Sequence, residues 1–150
     1  MTKLIEWSDE LSVDIQEIDE QHKVLVNLVN EMHDAVKSHD AGGHAMSVLD
    51  MLVDYTRIHF AVEESLMRIF DYPKYAEHKQ QHEQLLREVL TLRAELQSGK
   101  ERIGLKLLHF LRMWLANHIQ ESDKDYTPYM LKGGAKAKAG NPSWFARLWA

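Results

Sequence analysis

The sequence predicts an all-α protein: an antiparallel up-down-up-down four-helix bundle with an extended arm at its start and a tail at its end. Three observations lead there. Apolar residues recur at spacings of three and four rather than in alternation. The three prolines and a few glycine-containing stretches divide the chain into four long periodic segments. The connections between those segments are short, so consecutive helices must turn back on one another.

The elements follow in order. Trp7, Leu11, Val13 and Ile15 precede the first helical period and read as an extended arm lying on the bundle. A first helix over 19–37 carries Leu25, Leu28, Val29, Met32 and Val36 as its apolar stripe. "SHDAGGH" breaks the period. A second helix over 45–70 runs through Leu49, Leu52, Ile58, Val62 and Leu66, and "DYP" ends it. A third over 74–97 carries Leu85, Leu86, Val89 and Leu92, with Ser98 and Gly99 as its stop. The fourth covers 102–121.

Residues 1–131 make one domain, since 150 residues suffice for one well-filled core and not for two ordinary domains. Residues 132–150 are a linker, "KGGAKAKAG", followed by "NPSWFARLWA". In that tail Asn141 caps and Pro142 starts a short helix with Trp144, Phe145, Leu148 and Trp149 on one face. Three fates stay open for it: docking on a protein partner or a membrane surface, packing on its own bundle, or fraying.

Composition narrows the chemistry. With no cysteine, disulfides, thiolate metal sites and cysteine nucleophiles are excluded, and any metal must be held by nitrogen and oxygen. No stretch approaches the roughly 18 uncharged residues of a membrane span, and the start lacks a long apolar core, so a cytoplasmic protein is expected. The tail from Lys132 carries four bases and no acid, which leaves −9 on residues 1–131 of a chain whose net charge is −5. So acidic a body argues against nucleic acid as a partner. A monomer is expected.

Nine histidines are the outstanding feature, and their spacing sorts them. "HFAVEESLM" puts His59 and Glu63 four apart on one stripe of a helix, inside an apolar run. Alone, such a pair is an incidental match on a solvated face. Yet "HKQQH" places His78 and His82 on one stripe of the next helix, His22 lies near the start of the first, and "HIQESD" sets His118 five residues before Asp123 near the end of the fourth. All four helices thus offer inward ligands. Five residues turn an ideal helix by about 140°, so Asp123 joins His118 only where the helix widens to a π-type turn or ends. The other four histidines are bystanders. His39 and His44 fall in the predicted first loop, His109 is about half a turn around from His118, and His33 lies about 16 Å along the axis from His22.

Taken together, the lone histidine in "DEQH" followed by HxxxE, HxxxH and HxxxxD resembles the hemerythrin family. The likeness covers roughly residues 5–131 and extends to Trp7, Glu64, Met67, Tyr72, Pro73 and Tyr126. It implies a non-haem di-iron centre. By matching position, His78, His82 and His118 would bind one iron and His22 and His59 the other. Glu63 and Asp123 would bridge both, with an oxo or hydroxo group as a third bridge. If each iron takes about six ligands, the two-histidine iron keeps one open position, which would receive dioxygen.

Phe60, Trp114, Leu115 and Ile119 match the family's oxygen-pocket positions. Thr56 stands where the family often has an aromatic, leaving room for a water or a path for oxygen. The resemblance therefore implies reversible oxygen binding for storage, delivery or sensing. The alternative is an enzyme reducing oxygen, peroxide or nitric oxide. Carboxylate-rich di-iron oxidases use a Glu-x-x-His spacing, and no glutamate stands three residues before His59, His78, His82 or His118.

Overall fold

The computed structural model describes residues 4–38, 44–98, 103–119 and 124–132. A 3₁₀ turn, Asp9–Leu11, precedes five helices: α1 (Gln16–Lys37), α2 (His44–Ile69), α3 (Tyr75–Gln97), α4 (Ile103–Asn117) and α5 (Lys124–Lys132). The principal contacts join α1 to α2, α2 to α3, α3 to α4, and α4 back to α1, which closes the four long helices into a bundle around one core. Among the described residues no helix is long and apolar enough to cross a membrane.

The arm is held by side chains that stand in for a partner strand. Asn30 of α1 accepts from the Ile5 N–H at 2.9 Å and donates to the Ile5 carbonyl at 2.8 Å. Asp19, buried in the first turn of α1, accepts from Ser12 Oγ at 2.6 Å and from the Val13 N–H at 2.8 Å. These bonds satisfy backbone and carboxylate groups that burial would otherwise penalise. They fasten Leu11, Val13 and Ile15 into the core. Trp7 stays partly exposed under the Lys23 ammonium, 5.4 Å from the ring centroid.

Helix α2 ends in a Schellman motif. Asp71 adopts φ 52°, its N–H donates to the Arg68 carbonyl at 3.3 Å, and the Tyr72 N–H donates to the Met67 carbonyl at 2.8 Å. Pro73 then prevents continuation. This sharp stop turns the chain toward α3 beside the polar end of the core.

Three details differ from the sequence expectation. Ile58 is 54% exposed, because six residues from Leu52 turn the helix about 240° and carry it off the inner stripe. His44 is the first residue of α2 rather than part of the loop, and it is exposed. Helix α5 is an additional element. Pro128 lies inside it, early enough to forgo a single intrahelical bond, and Tyr126 and Met130 are fully buried. The expected tail helix after Asn141, and Asp123, lie outside the described residues.

Candidate metal centre

Six polar side chains are buried together at one end of the bundle: His22 from α1, His59 and Glu63 from α2, His78 and His82 from α3, and His118 just past α4. None exceeds 5% exposure, so none is a solvated surface group. The four-residue spacings on α2 and α3 put each pair on one inward stripe. At His118 and Ile119 the backbone opens to π-type geometry. A wider turn there is the condition on which the five-residue spacing from His118 to Asp123 depends.

The six form two groups, and Glu63 belongs to both. Ligand atoms of Glu63, His78, His82 and His118 lie within 4.8 Å of one another, as do those of His22, His59 and Glu63. In the first group, His82 Nε2 and His118 Nε2 each stand 3.7 Å from Glu63 Oε1. The His78 ring centroid is 4.5 Å from that of His82 and 5.3 Å from that of His118. In the second group, His59 Nε2 is 2.7 Å from Glu63 Oε1 and 3.1 Å from His22 Nε2.

One imidazole of α2 and one of α3 are held from behind through the far nitrogen. His59 Nδ1–H donates to Gln21 Oε1 at 2.6 Å, and His82 Nδ1–H donates to Glu64 Oε2 at 2.9 Å. These bonds fix the tautomer that turns the Nε2 lone pair inward. Burial pushes His82 below the ordinary histidine value, against the opposing pull of Glu64 and Glu63, so the neutral, ligating form is favoured. Burial alone would raise the Glu63 carboxyl. In the metal-free protein the charge of a protonated His59, and then the other imidazoles that face Glu63, outweigh burial and hold it well below the usual carboxylate range.

This donor set fits a metal. His59 Nε2 and the Glu63 carboxylate oxygen, 2.7 Å apart, need a proton or a metal cation between them; with Nδ1–H committed to Gln21, a metal there leaves the buried ring uncharged whereas a proton would charge it. Around His82 the 3.7 Å separation is too long for a hydrogen bond. His82 Nε2 and Glu63 Oε2 are buried without a hydrogen-bond partner among the described residues. Imidazoles with a carboxylate suit first-row transition ions rather than magnesium or calcium.

Aromatic rings close the site. Phe60 lies flat on His82, with centroids 3.7 Å apart and planes within 1°, and its ring is 5.5 Å from His118 and 6.1 Å from His59. Trp114 meets Phe60 edge-on at 6.1 Å and stacks over His118 at 6.3 Å. Leu115 and Ile119 are fully buried. Thr56 is buried too, in the wall of an apolar cavity of about 10 Å³ shared with Leu52, Leu85, Phe110 and Trp114. That is room for about one water. From α5, Tyr126 sets its ring 5.7 Å from that of His78.

The structure thus brings together His22, His59, Glu63, His78, His82 and His118, while Asp123 lies outside the described residues. Of the four bystander histidines, His44 and His109 are exposed. His33 is partly buried beside Asp34, and His39 is outside the described residues. Sequence reasoning missed the roles of Gln21 and Glu64. The signal available was adjacency, since each sits next to a ligand in the chain.

Comparison with known proteins agrees with this arrangement. A family model described as the hemerythrin HHE cation binding domain matches residues 13–130. The bacteriohemerythrin of Pseudomonas aeruginosa is 41% identical over 120 residues, covering 80% of this chain and 77% of that protein. The bacteriohemerythrin of Methylococcus capsulatus is 33% identical, covering 83% of this chain and 95% of that protein. A crystal structure of a wild-type hemerythrin superposes with a TM-score of 0.79 at 31% identity, covering 85% of this chain and 98% of that one.

Proposed function

Because the chain belongs to the hemerythrin family, we propose that it binds dioxygen reversibly at a non-haem di-iron centre, for oxygen storage, delivery or sensing. The observation that carries this reading is the shared carboxylate. Glu63 reaches a three-histidine group on one side and a two-histidine group on the other, as a bridge between two unequal ions must. His78, His82 and His118 would hold one iron and His22 and His59 the other, with Glu63, Asp123 and an oxo or hydroxo group between them. When bound, the di-iron group supplies two reducing equivalents and one open coordination position.

The protein's own residues do the rest. Five neutral imidazoles bring no charge of their own into the core, which limits the cost of burying the cluster. Phe60, Trp114, Leu115 and Ile119 wall the site with apolar surface and would exclude water and protons from it. The chain would act as a cytoplasmic monomer. On this reading residues 132–150 serve docking, to a protein or membrane surface, rather than iron binding, and their removal leaves the iron spectrum unchanged.

Iron analysis combined with visible absorption through a cycle of oxygenation and deoxygenation tests the proposal. Two irons per chain and a band that appears and vanishes reversibly are expected. Steady consumption of reductant with oxygen, peroxide or nitric oxide, and no reversible band, would favour an enzyme instead.

A further inference from the structure

Two pairs of neighbouring residues are built alike around the centre. On α1, His22 faces the Nε2 of His59 at 3.1 Å while the adjacent Gln21 takes the Nδ1–H of that same ring at 2.6 Å. On α2, Glu63 faces the Nε2 of His82 at 3.7 Å while the adjacent Glu64 takes that ring's Nδ1–H at 2.9 Å. Each pair sends one side chain into the centre and the other behind an imidazole of a neighbouring helix. The two outer partners differ in one property, charge. Gln21 is a neutral amide. Glu64 is a carboxylate with only 20% of its side chain exposed, so solvent screens it weakly.

A carboxylate behind an imidazole makes the ring a stronger donor than an amide does, because it draws the Nδ1 proton outward and leaves more electron density on Nε2. A stronger donor favours the more highly charged ion. We propose that Glu64 and Gln21 are positioning residues that add an electronic difference to the unequal ligand sets of the two irons, Glu64 stabilising the ferric state on the three-histidine side and Gln21 leaving the two-histidine side easier to keep ferrous. The inference rests on the di-iron reading. It places part of the asymmetry in two residues that bind no metal. Under it, the ion with the open coordination position gives up its electron less readily, which opposes unproductive one-electron oxidation.

The test is a redox titration of the iron-loaded full chain against one-electron dyes, with Mössbauer spectra distinguishing the two ions. Glu64→Gln keeps an acceptor of the same shape and removes the charge. It should retain two irons and shift oxidation of one ion about tenfold toward ferrous, the lower end of the range that outer partners command. Gln21→Glu should shift the other ion about tenfold toward ferric. Glu64→Ala removes the acceptor altogether and should weaken iron binding roughly 10- to 100-fold. An unshifted equilibrium in iron-replete Glu64→Gln, or equal movement of both ions in either variant, would overturn the inference while leaving the di-iron reading intact. Failure of the unaltered chain to take up two irons would overturn that reading and this inference with it.

Discussion

The two halves of α2 contrast two ways of filling a core. From Ala45 to Val53 its buried face is entirely apolar: Ala45, Val48, Leu49, Leu52 and Val53. Leu85, Val89 and Leu111 line the same apolar cavity as Leu52 and Val53. From Thr56 to Met67 the same inner stripe alternates Phe60, Val62 and Leu66 with His59 and Glu63, neither more than 1% exposed. The first half stabilises the bundle on its own account, at about 1.5–3 kcal/mol for each large side chain buried. The second half buries polar groups at a cost that contacts such as His59 with Gln21 and Glu63 offset in part and that a bound metal would offset further. One helix therefore joins a region that folds by burial to a region whose buried polar groups are arranged to hold a metal.

The sharpest way to break this contrast is Glu63→Ala. Loss of the shared carboxylate should lower iron from two per chain to a substoichiometric amount and abolish the rise in melting temperature that iron gives the unaltered protein; Asp123→Ala is expected to match it. Full iron occupancy without Glu63 would rule out bridging. Leu49→Ala should do the opposite, costing about 2–5 kcal/mol in urea unfolding by the same amount with and without iron. A cost that depended on metal would mean that the two halves are not energetically separate.

Acid should act on the polar end of the bundle, through Glu63 of α2 and His82 of α3. Burial lowers His82 from the ordinary value of 6.5, so below that pH the unfolded chain binds a proton that the folded chain resists. The penalty is absent above 6.5 and grows as pH falls beneath it. Glu63, held below 4.5, adds stability that is complete above 4.5 and is lost as pH falls toward its lowered value. Metal-free protein should therefore melt at progressively lower temperature from pH 7 to pH 4, and a flat profile would contradict the lowered His82.

Smaller effects sharpen the boundary. Leu115→Ala should retain both irons and hasten the first-order decay of the oxygenated band several-fold, since a vacated buried volume beside the site admits water. An unchanged decay would move the barrier to Trp114 or Phe60. His109→Ala, on the exposed side of α4, should keep two irons and change stability by no more than about 0.5 kcal/mol.

Helical periodicity is local, so the chain alone determined the four long helices, the inward stripes carrying His59 with Glu63 and His78 with His82, and the separation of His109 from the ligands. It also determined that Asp123 can join His118 only where the helix widens or ends, because five residues do not close an ideal helical turn. A stripe read from spacing is only as good as its phase, which is why Ile58, counted inward, faces solvent. What needs a second element could not be read in this way. Helix α5 was hidden by Pro128 and lies against α2. The hold of Asp19 on Ser12 and Val13, the close approach of Val36 to Gly104, where an added Cβ would meet Cγ1 at 2.9 Å, and the bonds from His59 to Gln21 and His82 to Glu64 join groups on different segments. So does the sharing of Glu63 between two groups of histidines. Spacing along a helix fixes the angle of a side chain about its own axis. The rotation and depth of one helix against the next are set by packing, and these decide which donor atoms meet.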